Sequence, residues 1–230
     1  MKKQIVVIGL GRFGTSLATT LISMGHDVLA IDKNEQRVQN ISTQITHAVQ
    51  ADATNETILK ELDIGNYDIA VVSIGTAVES SVLSTILLKN LGVRYVIARA
   101  NSDLHGSILE KIGADTVVYP EREMGTSLAQ VVTLSGVSDY MSIAQGYGVS
   151  KLRVPKYLTG VTLSDVGFGV KGKFEVAVLL ILREAEVLIT PAQAEVIKPG
   201  DILILAGQDD NIEKLLVEAE KERGEEEKKE

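Results

Sequence analysis

Three glycines, Gly9, Gly11 and Gly14, stand at the spacing Gly-x-Gly-x-x-Gly. They follow the apolar run Ile5–Ile8 and precede a helical repeat of Leu17, Ala18, Leu21 and Ile22. A strand, a tight turn and a helix start in that order suit a phosphate-bearing dinucleotide. Gly9 makes the turn, Gly11 lets the backbone approach a diphosphate, and Gly14 packs helix on strand. The first N–H groups of the helix and the positive end of its dipole then face the anion.

Further residues extend this chemistry. Asp32 closes a second apolar run, Val28–Ile31, where a carboxylate accepts hydrogen bonds from an adenosine ribose. Its alternative role is to cap a helix starting near Asn34. Asp52 ends a third run beside the expected adenine pocket, and it too has a capping alternative, shared with Thr54 or Asn55. Arg12, inside the loop, offers a guanidinium for bidentate bonds to a terminal phosphate. Otherwise it is an exposed first-turn cation in a place the helix dipole does not favour. Glu121 follows Tyr119–Pro120, and locally it reads as a first-turn acid, where Pro and carboxylates are preferred. His105 reads as a solvated residue of another first turn. His26 and His47 have no second histidine at ligand spacing, so no paired-histidine metal site is expected. Tyr147 and Lys151 match a Tyr-x-x-x-Lys dehydrogenase pair, but Gly146 and Gly148 make that stretch a poor helix.

The elements that must position these groups alternate over the first 120 residues. Strands are expected at 4–8, 27–31, 46–50, 69–73, 95–98 and 116–118, with helices at 12–24, 34–42, 55–62, 77–91 and 102–112. Runs such as Ile69–Val72 are apolar on both faces, as in a parallel sheet covered by helices. The expected class is α/β: a doubly wound Rossmann sheet in the order 3-2-1-4-5-6. A crossover or linker helix is expected over 121–137, from Glu121 and closing on Gly136. A small α+β domain follows at 138–208, with strands at 141–144, 151–154, 176–182, 187–189 and 202–205 and a helical turn near Leu163–Val166. A charged segment at 209–230 should be helical from Asn211 to Arg223 and frayed from Glu225 to Glu230.

Composition narrows the partners. There is no cysteine, which removes disulfides and thiolate chemistry and fits a reducing compartment. The purest apolar run, Val176–Leu182, is far short of the roughly 20 residues of a membrane helix. No secretory signal pattern is seen, and a soluble protein is expected. The net charge is −8, of which the segment from Asp209 onward holds −5. Neither part shows a basic stripe, so nucleic acid is not an expected partner.

The glycine loop, Asp32, Asp52–Ala53, Ile74–Gly75, Ala98–Arg99–Ala100, the stretch Ala114–Gly125 and the turn Pro199–Leu203 together resemble one family. It is the cytosolic regulatory subunit of Ktr/Trk-type potassium uptake systems, built from an RCK-N and an RCK-C domain. The resemblance implies homodimers assembled into a gating ring, commonly an octamer. The ring lies beneath a membrane potassium translocator, so the location would be cytoplasmic and peripheral to the inner face of the membrane. It implies ATP/ADP competition at the glycine loop, with NAD/NADH in some relatives. By the same resemblance, Gly9, Gly11, Phe13 and Gly14 form the loop and Arg12 meets the terminal phosphate. Asp32, Lys33 and Asn34 line the ribose, Asp52 and Ala53 the adenine, and Ile74, Gly75 and Thr76 the diphosphate. Arg99, Ala100, Asn101 and His105 approach from the fifth strand. Glu121 becomes a ligand for a cation, Mg2+, Ca2+ or Na+, beside the γ-phosphate, which reverses its local reading. Some relatives bind cyclic di-AMP in the second domain, although no motif for it stands out here. The rival class is an NAD(P)-dependent oxidoreductase on the same Rossmann site. It needs an acid/base group, yet no histidine occurs from Ser138 onward.

Overall fold

The computed structural model describes residues 2–45, 47–134, 136–169 and 172–226. The chain divides into two compact units, Met1–Glu121 and Arg122–Glu230.

The first unit is built on six strands: β1 (Gln4–Ile8), β2 (Asp27–Asp32), β3 (His47–Gln50), β4 (Ile69–Val72), β5 (Tyr95–Arg99) and β6 (Thr116–Val118). They form one sheet in the order β3-β2-β1-β4-β5-β6. Every pairing is parallel. Strand order therefore reverses between β1 and β4, as expected of a Rossmann sheet. Five helices connect the strands: α1 (Arg12–Ser23), α2 (Glu35–Ile41), α3 (Glu56–Glu61), α4 (Val78–Asn90) and α5 (Asp103–Lys111). A short 3-10 turn at Ile64–Asn66 was not anticipated.

The two-sided burial follows from strand geometry. Along β1, Val6 and Ile8 join one core with Leu29, Ile31, Val72 and Leu88. Ile5 and Val7 face the opposite core with Val28, Ala30, Ala18 and Ile41. Alternate side chains point to opposite faces, so an uninterrupted apolar run fills both layers. Asn34, Asn55 and Ser102 cap α2, α3 and α5 through side-chain acceptors. The starts of α1 and α4, at Gly11 and Ala77, have no side-chain cap.

Helix α6 (Pro120–Thr133) begins at the end of the first unit and runs into the second. It stops before the expected Gly136, whose φ of +81° belongs to the turn into the next strand. None of its residues is buried, and Met124, Leu128 and Val132 are exposed at four-residue spacing. The second unit has strands β7 (Val137–Ala144), β8 (Tyr147–Arg153), β9 (Ala177–Arg183), β10 (Glu186–Ile189) and β11 (Ile202–Gln208), with helices α7 (Leu163–Val166) and α8 (Asp209–Glu226). Its sheet is antiparallel in the order β10-β9-β11-β8-β7. Leu152, Phe168, Ile181, Leu203, Leu205 and Ile212 fill its core.

Two strands begin earlier than expected, for separate reasons. Irregular register after Val137 breaks the alternation in β7. In β8 the inward positions include Gly148 and Ser150, too small to give an apolar signal. Helix α8 extends past Arg223 to Glu226, so Glu225 and Glu226 are helical; positions 227–230 of the expected frayed end lie outside the described residues. No helix among the described residues is long and apolar enough to cross a membrane.

One ion network stabilises the second sheet. Arg183, on β9, donates from Nε and Nη2 to the fully buried Asp201 at 2.9 Å each, and from Nη1 to Glu195 at 2.8 Å. Burial pushes the Asp201 carboxyl up, but hydrogen bonds from Arg183 and the Lys198 N–H hold it below the ordinary 3.8. A depressed folded-state pKa gives stability that is present above the unfolded value and lost as pH falls through the folded one. Asp201→Asn is expected to lower stability by about 3 kcal/mol at neutral pH. The gap from wild type should close as pH drops below the unfolded value, measured by urea denaturation across pH.

Candidate functional site

A cavity of about 300 Å³ opens in the first unit at the reversal of strand order. Crevices at this point, outside the carboxyl ends of the strands, are where open α/β sheets bind ligands. Ten of the sequence-predicted residues line it: Gly9, Gly11, Asp32, Lys33, Asp52, Ala53, Ile74, Gly75, Thr76 and Arg99. The two uncapped helix starts, Gly11 and Ala77, line it as well.

The glycines divide their roles by steric need. Gly9 takes φ +95°, open to glycine and strained for L side chains. A Cβ on Gly14 would collide with the Gly9 carbonyl oxygen and Ser73 Oγ. A Cβ on Gly11 would meet no protein atom within 4 Å. The fold therefore requires glycine at 9 and 14, while at 11 the open space adjoins the cavity.

Asp32 fixes this turn. Its side chain is 5% exposed; Oδ2 accepts the Leu10 N–H at 2.6 Å and Oδ1 accepts the Asn34 N–H at 2.8 Å. Arg37 donates to Oδ2 at 3.3 Å. Asp32 thus binds the backbone ahead of α2, while the cap itself is Asn34, which accepts from Arg37 N. Asn34 lies outside the main cavity, in a shallow neighbouring pocket shared with Lys33, Glu35, Gln36 and Gln39. Asp52 is likewise no helix cap: Asn55 caps α3. Asp52 instead accepts from Thr54 Oγ1 at 2.7 Å and Thr54 N at 2.9 Å, and these bonds hold its carboxyl below the ordinary range.

On the other side, the Arg99 guanidinium lies against the backbone of Gly75, where a Cβ would stand 2.6 Å from Cζ. It is also 5.9 Å from the Phe13 ring centroid, which gives Phe13 a stacking role. Nη2 pairs with Glu121, and Nη1 reaches Ser73 O at 3.5 Å. Nε is buried without a partner. Asn101 donates to Gly75 O at 2.7 Å and stands 3.1 Å from His105 Nδ1. Ala100, Asn101 and His105 thus form a layer behind the cavity and do not line it. His105 is not solvated: it is 1% exposed, and burial lowers its pKa.

Two of the expected residues, Arg12 and Glu121, stand outside the cavity lining. Arg12 is exposed at the first position of α1 and is not among the residues that line the cavity. Glu121 has its charge met by Arg99, and no cluster of three or more His, Cys, Asp or Glu suited to a metal occurs among the described residues. The Tyr147–Lys151 pair lies on β8, not on a helix. Conversely, Arg37, Thr54, Ser80 and Ser84 line the cavity without having been singled out. Only for Arg37 was there a signal, a cation one helical turn beyond Lys33.

Comparison with known proteins follows these features. Residues 5–120 match the TrkA-N domain and residues 150–218 the TrkA-C domain. Ktr system potassium uptake protein C of Bacillus subtilis is 38% identical over 90% of this chain and 93% of its own length. The chain belongs to the Ktr/Trk potassium-uptake family. Ktr system potassium uptake protein A of the same organism is 36% identical over 92% of this chain and 95% of its own length. Both relatives carry the name of potassium uptake proteins. Among solved structures, the GsuK channel bound to NAD shares the fold, with a TM-score of 0.63 at 17% identity over 92% of this chain. GsuK bound to ADP matches 57% of this chain at 18% identity, with a TM-score of 0.50. The chain spans 38% and 34% of those two channel chains.

The steric difference between the glycines is testable without any ligand. Gly14→Ala should lower stability by about 3 kcal/mol, because a backbone oxygen has to move. Gly11→Ala should lower it by about 1 kcal/mol or less, the difference between glycine and alanine at a helix cap. Denaturant midpoints of the two variants against wild type measure this.

Proposed function

We propose that this chain is a non-catalytic nucleotide sensor that gates a membrane potassium translocator. The carrying observation is the cavity at the strand-order reversal, which gathers the glycine loop, Asp32 and Arg99 on one wall system. Gly9 and Gly11, with the open N–H groups of α1, would hold a diphosphate. Asp32 and Lys33 would take the ribose, and Ala53 with the Asp52–Thr54 turn the adenine. Ile74, Gly75 and Thr76 would flank the diphosphate from the loop after β4, and Arg99 would meet a distal phosphate. Arg12, exposed beside the loop, would read the terminal group from the rim.

Membership of a potassium-uptake family supports the translocator as partner, and the NAD- and ADP-bound GsuK structures support an adenine nucleotide as ligand. We place the protein in the cytoplasm, peripheral to the membrane through that partner, as a homodimer assembled into a ring, an octamer on the family pattern. Gating then requires that ATP and ADP, or NAD and NADH, bind two ring geometries with different affinity, since equal affinity for both shifts nothing.

Thermal-shift titration with ATP, ADP, NAD and NADH tests the reading. A true ligand at a hundred times its Kd should stabilise the fold by about 2.7 kcal/mol. Gly11→Ala should remove most of that shift. Arg12→Ala should reduce discrimination between ATP and ADP more than it reduces ADP binding, and equal losses for both would refute its role. Absence of any shift in wild type would refute the sensor.

A further inference from the structure

We propose that Ser73 and Thr15 are positioning residues for the phosphate end of a bound nucleotide. Their hydroxyls hold the carbonyls of the glycine loop away from the anion, so that phosphate meets N–H groups already in place. This rests on the nucleotide reading above. The loop runs from Gly9 to Gly14, and two of its first three residues are glycine, which leaves its backbone little stiffness of its own. An anion is attracted there by N–H groups and repelled by the negative ends of C=O groups. In a trans peptide the two point in opposite directions, so a bond to the carbonyl of one plane also aims the N–H of that plane.

The first two planes of the loop are both caught in this way. The Gly9 carbonyl accepts from the Ser73 hydroxyl, while the Leu10 N–H of the same plane donates to Asp32 Oδ2 at 2.6 Å. That plane is clamped at both ends. In the next plane, Leu10 O accepts from Thr15 Oγ1, in the first turn of α1, at 3.2 Å, which turns the Gly11 N–H the other way. The Gly9 N–H is spent on Ile31 O at 2.7 Å. The donors left for an anion are those from Gly11 onward, at a helix start with no side-chain cap, and Gly11 lines the cavity. Ser73 is 3% exposed and its one hydroxyl hydrogen is committed to the Ile8 and Gly9 carbonyls, and Thr15 does not line the cavity. Both hydroxyls therefore act through the backbone. Without them a phosphate would have to order the loop as it bound, and that cost would fall on phosphate-bearing ligands alone.

The test is isothermal titration of the full chain with ADP and ATP in a metal chelator, with adenosine read by displacement of ADP. Ser73→Ala and Thr15→Val should each weaken ADP and ATP binding about fivefold, the factor that one ordinary hydrogen bond carries, and leave adenosine binding unchanged. Thr15→Ser, which keeps the hydroxyl, should restore the wild-type ratio of ADP to adenosine affinity. An unchanged ratio in either hydroxyl-free variant, or equal weakening of adenosine and ADP, overturns the proposal. So does a Thr15→Ser variant that loses as much as Thr15→Val. If wild type binds none of the three ligands, the sensor reading itself fails. Melting curves without ligand confirm that each variant is folded.

Discussion

Asp32 accepts the Leu10 N–H at 2.6 Å and the Asn34 N–H at 2.8 Å from within the fold. One buried carboxylate thus ties the turn after β1 to the turn after β2. A carboxylate in this setting needs hydrogen bonds to offset desolvation, and the two backbone donors together with Arg37 supply them. Without them the Leu10 amide would be an orphan donor and the glycine turn would lose its brace. Ser73, just past β4, does the corresponding work, its one hydroxyl hydrogen shared between the carbonyls of Ile8 and Gly9. The loop is thereby set before any ligand arrives, and binding need not fold it.

The far wall is organised differently. Arg99, Gly75, Phe13, Asn101 and Glu121 form a connected group in which each depends on its neighbour. Gly75 is glycine because the guanidinium occupies the space a side chain would take. Asn101 holds the Gly75 carbonyl, and His105 backs Asn101. The near wall is therefore held through backbone bonds, whereas the far wall is held through side chains, with a partly exposed ion pair at its end.

Much of the first unit is legible in its sequence because a doubly covered parallel sheet writes itself as unbroken apolar runs. Asn34, Asn55 and Ser102 mark three helix starts through their own chemistry. The glycine spacing and Asp32 point to the cavity since their roles depend on local geometry. Ser80 and Ser84 are silent in the sequence: small polar residues on a helix face the cavity only because of how α4 lies on the sheet. His105 reads as solvated for the same reason, since its burial is decided by long-range packing. The Arg99–Glu121 pair joins residues of β5 and α6 that no local pattern links. In the second unit, small residues on β8 and register shifts in β7 erase the alternation on which a strand reading depends.

Helix α6 is 14 residues long and buries none of them. Val131 packs partly on the second unit's core and Ser127 donates to Tyr140 O, but Met124, Leu128 and Val132 face outward. A helix of this length is marginal in water on its own propensity. A surface that covered this apolar stripe would add to the helix's stability by mass action, and its folded population would then follow the concentration of that surface.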